Sequence, residues 1–292
     1  LFIISLLCIL CGAAQAQKIK IKTGIEVLKE QNFKCLEGKR VGLITNPSGV
    51  DNNLVSTIDI IANAPGVKLT ALYSPEHGVR GDIAAGERVD TYTDPKTGVT
   101  VYSLYGKNKK PSAEMLKDVD VLVYDIQDNG CRSFTFISTM GLCMEACAEN
   151  GKEFMVLDRP NPLSGLKVEG NLVEDGFYSL VSQFKIPYLY GLTPGELALM
   201  LNDGMLKDGK KTKLTVVPMT GWHRYMTFDQ TGMPWILPSP HQPYPQSAIY
   251  YPVTGILGEL YYINMGVGYP LPFQTIGAPW FNADSLATNL NA

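Results

Sequence analysis

Histidine is scarce in this chain: three in 292 residues, His77, His223 and His241, with no H-x-x-x-H pair among them. A metal site would therefore have to be assembled from distant side chains. Cysteine is also sparse. Beyond the first twelve residues only Cys35, Cys131, Cys143 and Cys147 remain. Cys143 and Cys147 would stack on one helix face, but no C-x-x-C pair or histidine accompanies them, so no zinc ligand set is present and they read as small buried apolar residues. Net charge is only −3 and no Lys/Arg-rich run occurs, which gives nucleic acid nothing to bind. No G-x-G-x-x-G follows a strand, so no dinucleotide cofactor is expected. There is no P-loop and no G-x-S-x-G elbow, which leaves Ser74, Ser138 and Ser239 poor nucleophiles.

Long apolar runs are missing as well. Leu1–Gly12 is almost wholly apolar, but 12 residues are too few to span a bilayer. Followed by Ala14-Gln15-Ala16, it reads as a secretory signal peptide, residues 1–16, cleaved before Gln17. The missing basic start is expected to have been clipped. An exported, periplasmic or secreted location follows, with no membrane span once the leader is removed.

What the chain does have is alternation. Strands are expected at Val41–Thr45, Val67–Leu72, Val101–Tyr105, Val119–Tyr124, Phe154–Leu157 and Leu214–Val217. Helices are expected at Leu54–Ala64, at Phe134–Glu149, from Ser112 through Lys117, and over Leu197–Asn202 behind a Thr193-Pro194-Gly195-Glu196 capping box. Asp90–Thr100 reads as a loop or short hairpin. This order predicts an α/β fold: a mostly parallel sheet with helices on both faces. Residues 17–217 would form that domain. From Pro218 the chain is rich in Pro, Gly, Tyr and Trp with weak periodicity, and 218–292 reads as binding loops or as cover for the sheet edge, stopping in a helix begun near Asp284 that looks truncated.

Four expected strands end in polar loops: Asn46-Pro47-Ser48-Gly49, Glu76-His77-Gly78, Asp125-Ile126-Gln127-Asp128 and Asp158-Arg159-Pro160. Ligands of open α/β sheets bind along that edge. Glu76, between Pro75 and Gly78, could be desolvated enough to serve as a general acid, or could pair with Arg80 or Arg88. His77 could orient Glu76, hold a hydroxyl or, with Asp82, Glu87, His223 or His241, ligate a metal. Asp125 and Gln127 fall on one side of an extended chain and suit sugar hydroxyl and acetamido groups, with a capped turn as the alternative. Arg159 reads either as the partner of Asp158 or as an anion binder. Glu169 is a second lone carboxylate in a Gly-flanked turn.

The motifs resemble, in order and over roughly Gly24 to Trp280, those of the NamZ-type exo-β-N-acetylmuramidases. They include Leu43–Gly49, Ser74–Gly81, Ala85-Gly86-Glu87, Tyr124–Asp128, Leu157–Pro162, Val168-Glu169-Gly170, Tyr190–Thr193, Gly221-Trp222, Pro238-Ser239-Pro240 and Gly277–Trp280. That resemblance implies exo-hydrolysis of non-reducing terminal N-acetylmuramic acid from peptidoglycan fragments without a cofactor, in a cleft between a Rossmann-like catalytic domain over 17–217 and a smaller C-terminal auxiliary domain begun in 218–292 and expected to be incomplete. It carries the catalytic glutamate onto Glu76. Glu169 or Asp125 would then assist as base or stabilise the transition state, or the substrate acetamido group would act as nucleophile. Asn46, His77, Arg80, Gln127, Arg159 and His241 are the expected sugar contacts, and Arg80, Arg132 or Arg159 could meet the lactyl carboxylate. The alternatives are a non-catalytic binder of muropeptides or acidic sugars, and a metal-dependent hydrolase built on Glu76, His77 and His241.

Overall fold

The computed structural model describes residues 21–81 and 91–292. The expected leader, Asp82, Glu87 and Arg88 lie outside the described residues. Strands β1 (Arg40–Thr45), β2 (Lys68–Ser74), β3 (Tyr92–Thr93), β4 (Thr100–Ser103), β5 (Val121–Asp125), β6 (Glu153–Leu157) and β7 (Lys213–Val217) form one seven-stranded sheet. Its order is β3-β4-β2-β1-β5-β6-β7, and every pairing is parallel except β3 with β4.

Alternating side chains divide the core in two. On β5, Val121 and Val123 face the side covered by α1 (Gly24–Glu30) and α2 (Thr57–Ala62), where Ile25, Leu28, Ile58 and Ile61 pack. Leu122 and Tyr124 face the other side, beneath α3 (Phe136–Glu149) and α4 (Pro194–Asn202), where Met140, Met144, Leu197 and Leu201 pack. Both faces of the central strands are dry, which is why they read as continuous apolar runs. Each such Leu, Ile or Val contributes about 1.5–3 kcal/mol relative to an exposed position.

The expected capping box is present: Glu196 N donates to Thr193 Oγ1 at 3.2 Å and Thr193 N to Glu196 Oε2 at 3.0 Å. Two expectations fail. Ser112–Lys117 forms turns rather than a helix: Leu116 N reaches Ser112 O at 3.1 Å, but Lys117 N already turns to Glu114 O. The segment stops after one turn because the chain must enter β5. Conversely, a helix with no predicted counterpart, α6 (Ser247–Gly258), follows the single turn α5 (Phe228–Thr231). Pro252 lies inside α6, a residue that usually interrupts helices, and the segment's periodicity is weak. The last helix, α7 (Ala283–Leu290), starts at a true cap, with Asn282 Oδ1 accepting from Ser285 N at 2.8 Å.

Candidate active site

After β1 the chain moves to β2 on one side, and after β5 it moves to β6 on the other, so the topological switch lies between β1 and β5. Parallel pairing brings the carboxyl ends of β1, β2, β4, β5 and β6 to one edge. Asn46, Glu76, Tyr105, Gln127 and Arg159 all leave the sheet there.

Glu76 sits half-buried in the turn after β2. Among the described residues no cation pairs with it: Arg80 turns away to Asp94 (2.6 Å from Nε) and Asp59 (3.3 Å from Nη2). Asp94 in turn is held at about 2, chiefly by its bond to Arg80. The Thr135 hydroxyl donates to Glu76 Oε2 at 3.4 Å, and the Tyr105 hydroxyl lies near enough for the Glu76 charge to raise its pKa, after burial. The next residue, His77, is buried and held at φ 76°, a left-handed conformation rare outside glycine, with Gly78 at φ 79° behind it. This backbone turns the His77 ring toward Ser239, whose Oγ lies 3.3 Å from Nε2. Burial lowers the His77 pKa, the nearby Glu76 charge opposes this, and His241 reinforces it.

The switch crevice itself is filled. Asp125, with no exposed surface, takes Arg159 Nε on Oδ1 at 2.5 Å and Arg159 Nη2 on Oδ2 at 3.0 Å. Thr57 Oγ1 adds a third donor to Oδ2 at 2.5 Å, and Arg159 Nη2 also reaches Val50 O at 2.8 Å. Arg159 therefore pairs across the sheet with Asp125 rather than with its neighbour Asp158, which caps α4 through Gly195 N and Thr193 Oγ1. Gln127 is buried beside them. Its Nε2 donates to Asp128 O and Pro160 O, both at 2.8 Å, and its backbone N to Ser48 Oγ at 2.9 Å. Only a cavity of about 10 Å³ adjoins Gln127 and Arg159, room for about one water. Next in sequence, the fully buried Asp128 accepts from Tyr190 and Gly130 N, and burial pushes its carboxyl up to about 7.

The remaining expected contacts are spread along the edge. Asn46 holds loops together: Nδ2 donates to Pro238 O at 3.0 Å and Oδ1 accepts from Ser48 N at 2.9 Å. With the His77–Ser239 contact, this clasps the 238–242 segment over the strand exits. His241 stays half-buried on that segment. Glu169 is exposed, 3.3 Å from Lys167, on the rim of a 300 Å³ cleft lined also by Tyr188 and by Ile249, Pro252 and Val253 around α6. Tyr188, which lines this cleft with Glu169, meets Ser133 Oγ through its hydroxyl at 3.2 Å. A larger cavity of 660 Å³ lies beside Glu145 and Phe184, away from this edge, and its carboxylate is occupied by Lys207 N and Lys110. No group of three or more His, Cys, Asp or Glu side chains suited to a metal ion occurs among the described residues. Sequence reasoning passed over Tyr105, Thr135 and Ser239. Tyr105 could have been found from the parallel pairing of β4 with β2.

The fold and edge thus define an α/β protein with a candidate ligand site on the carboxyl side of a parallel sheet, where Glu76 has no cation partner among the described residues. Comparison with known proteins narrows the class. The N-terminal domain of the exo-β-N-acetylmuramidase NamZ matches residues 41–246, and the C-terminal domain of the same family matches 249–292. Peptidoglycan β-N-acetylmuramidase NamZ of Bacillus subtilis (strain 168) is 50% identical over 277 residues, 95% of this chain and 66% of the relative. Crystal structures of two DUF1343-family proteins from Bacteroides fragilis NCTC 9343 superpose with TM-scores of 0.88 and 0.77, at 68% and 34% identity. They cover 94% and 89% of this chain, which spans 69% and 67% of theirs. The chain belongs to the NamZ family, and it spans about two thirds of the length of the relatives it matches.

Proposed function

We infer that the protein is an exo-acting glycosidase that releases non-reducing terminal N-acetylmuramic acid from peptidoglycan fragments. The observation that carries the reading is Glu76: a half-buried carboxyl at the strand exits, bonded by the Thr135 hydroxyl, near the Tyr105 hydroxyl and paired with no cation among the described residues. Kinship with a peptidoglycan β-N-acetylmuramidase supports the substrate class.

In this mechanism Glu76 protonates the glycosidic oxygen as the bond to the anomeric carbon breaks, and positive charge spreads over the ring oxygen. A water, or first the substrate's own acetamido oxygen, closes on the opposite face. Asp125 is committed to Arg159 and Thr57, so the second protein carboxylate in this scheme is Glu169, on the rim of the α6 cleft. His241 contacts the sugar. His77 and Asn46 act by holding the 238–242 segment, and Gln127, Arg80 and Arg159 act by fixing the loops that shape the edge. We further propose that the enzyme works outside the cytoplasm, periplasmic or secreted, delivered by the 1–16 leader; a mature protein beginning at Gln17 is the expected N-terminal sequence.

The test is Glu76→Gln assayed on a chromogenic β-muramoside. Loss of at least about 100-fold in kcat is expected for removal of a general acid. Full activity in that variant would end the assignment. A folded wild-type protein that binds the muramoside without cleaving it would make this a binding protein instead. Inhibition by a chelator would bring back the metal-dependent reading.

A further inference from the structure

Helix α3 begins without the usual fittings of a helix N-terminus. Its N-cap residue is Thr135, a type that normally accepts a hydrogen bond from an amide of the first turn. No such side-chain bond forms, and the first turn carries no acidic residue. The Thr135 hydroxyl instead leaves the helix and donates to Glu76.

Tyr105 arrives from the opposite flank. The register aligns Ser74 of β2 with Ser103 of β4, so Glu76 and Tyr105, each two residues on, leave neighbouring strands level with each other. Leu104 N donates to Ser74 O at 2.8 Å and extends the pairing beyond the strands. The Tyr105 hydroxyl comes near Glu76; burial first, and the Glu76 charge second, push this phenol up, so it remains protonated and able to donate.

We propose that Tyr105 and Thr135 are positioning residues for Glu76, flanking its carboxyl from two sides at the start of α3 and fixing the direction in which its proton is offered. A hydroxyl donor favours the charged form of a carboxyl, so the loss of one is read in a pH profile. The inference rests on the reading of Glu76 as the acid.

The experiment is the pH profile of kcat/KM for Tyr105→Phe and Thr135→Val in the full-length protein, with Thr135→Ser as the conservative control. Losing one donor to the carboxylate should move the alkaline limb up by about one pH unit. The kcat value should fall while KM stays near wild type, and Thr135→Ser should restore the wild-type limb. An unmoved limb in the folded variants overturns the proposal, and so does a defect confined to KM. Tyr105→Phe keeps its ring in place and decides alone if Thr135→Val does not fold. Glu76→Gln run alongside separates the two claims. Activity in that variant removes the acid reading itself; inactivity there with an unmoved Tyr105→Phe limb removes only the positioning role.

Discussion

Arg159→Met tests whether Arg159 binds substrate or holds the sheet edge. In the folded chain Arg159 is 3% exposed and Asp125 fully enclosed. The substitution keeps most of the aliphatic volume but deletes both Arg159 bonds to Asp125, and it leaves the carboxylate with the Thr57 hydroxyl as its remaining side-chain donor. Breaking a buried pair from one side costs about 3–5 kcal/mol, because the partner's charge stays buried and unpaired. For a domain of this size that lowers Tm by roughly 6–20 °C. Urea unfolding should show the same loss as a fall in midpoint with an unchanged m-value. Asp125→Asn in the same chain removes the stranded charge, so the double variant should recover about 2 kcal/mol relative to Arg159→Met. At a temperature where the variant is folded, KM for the muramoside should change little. A loss below about 1 kcal/mol together with a large rise in KM would refute the reasoning, for it would mean that the guanidinium meets the substrate and that the ion pair contributes nothing measurable.

Other perturbations give equally definite outcomes. The Asp128 carboxyl, pushed up to about 7 from 3.8 by burial, keeps a proton in the folded chain that the unfolded chain sheds. Its contribution is full below the lower value and falls as pH rises to the upper one, by at most about 4 kcal/mol. Tm measured against pH should therefore decline less for Asp128→Asn than for wild type between the unfolded value of 3.8 and the folded value of about 7, and parallel curves would disprove it. Asn46→Ala removes the donor to Pro238 O and should expose the 238–242 segment to limited proteolysis while costing roughly 1–3 kcal/mol; an unchanged cleavage pattern would show that the clasp lies elsewhere.

The strands were legible because burial on both faces leaves unbroken Val/Ile/Leu runs, and the α4 start was legible because its capping chemistry is local. The polar exits could also be read, since each lies just beyond an apolar run. What could not be read was how those polar groups spend their bonds. Arg159 and Asp125 are 34 residues apart and meet only because β5 and β6 pair in parallel; from the sequence alone Asp158 was the nearer partner. The same holds for Thr135 and Glu76, 59 apart. Helix α6 was hidden for a different reason. Its face toward the protein is small and partly polar, with Ser247 and Ala248 buried, while Ile249, Val253 and Ile256 are exposed, so its apolar pattern does not mark the inward side.

These pairings move the site. Open α/β sheets place ligands at the switch between strand directions, here between β1 and β5. That crevice holds Asp125, Arg159 and Gln127, every charge of which is matched by a neighbour, and Asn46 ties the 238–242 segment down above it. A substrate entering there would have to break a buried ion pair. One strand away the accounting differs: the β2 exit presents Glu76, and the adjacent β4 exit and α3 start supply hydroxyls rather than a cation. Hydroxyls orient a carboxyl without neutralising it or holding it permanently ionised as an arginine would. A group that must give up and regain a proton in each turnover needs that kind of neighbour. The crevice beside it keeps Arg159, a buried cation on the same edge, bound to Asp125.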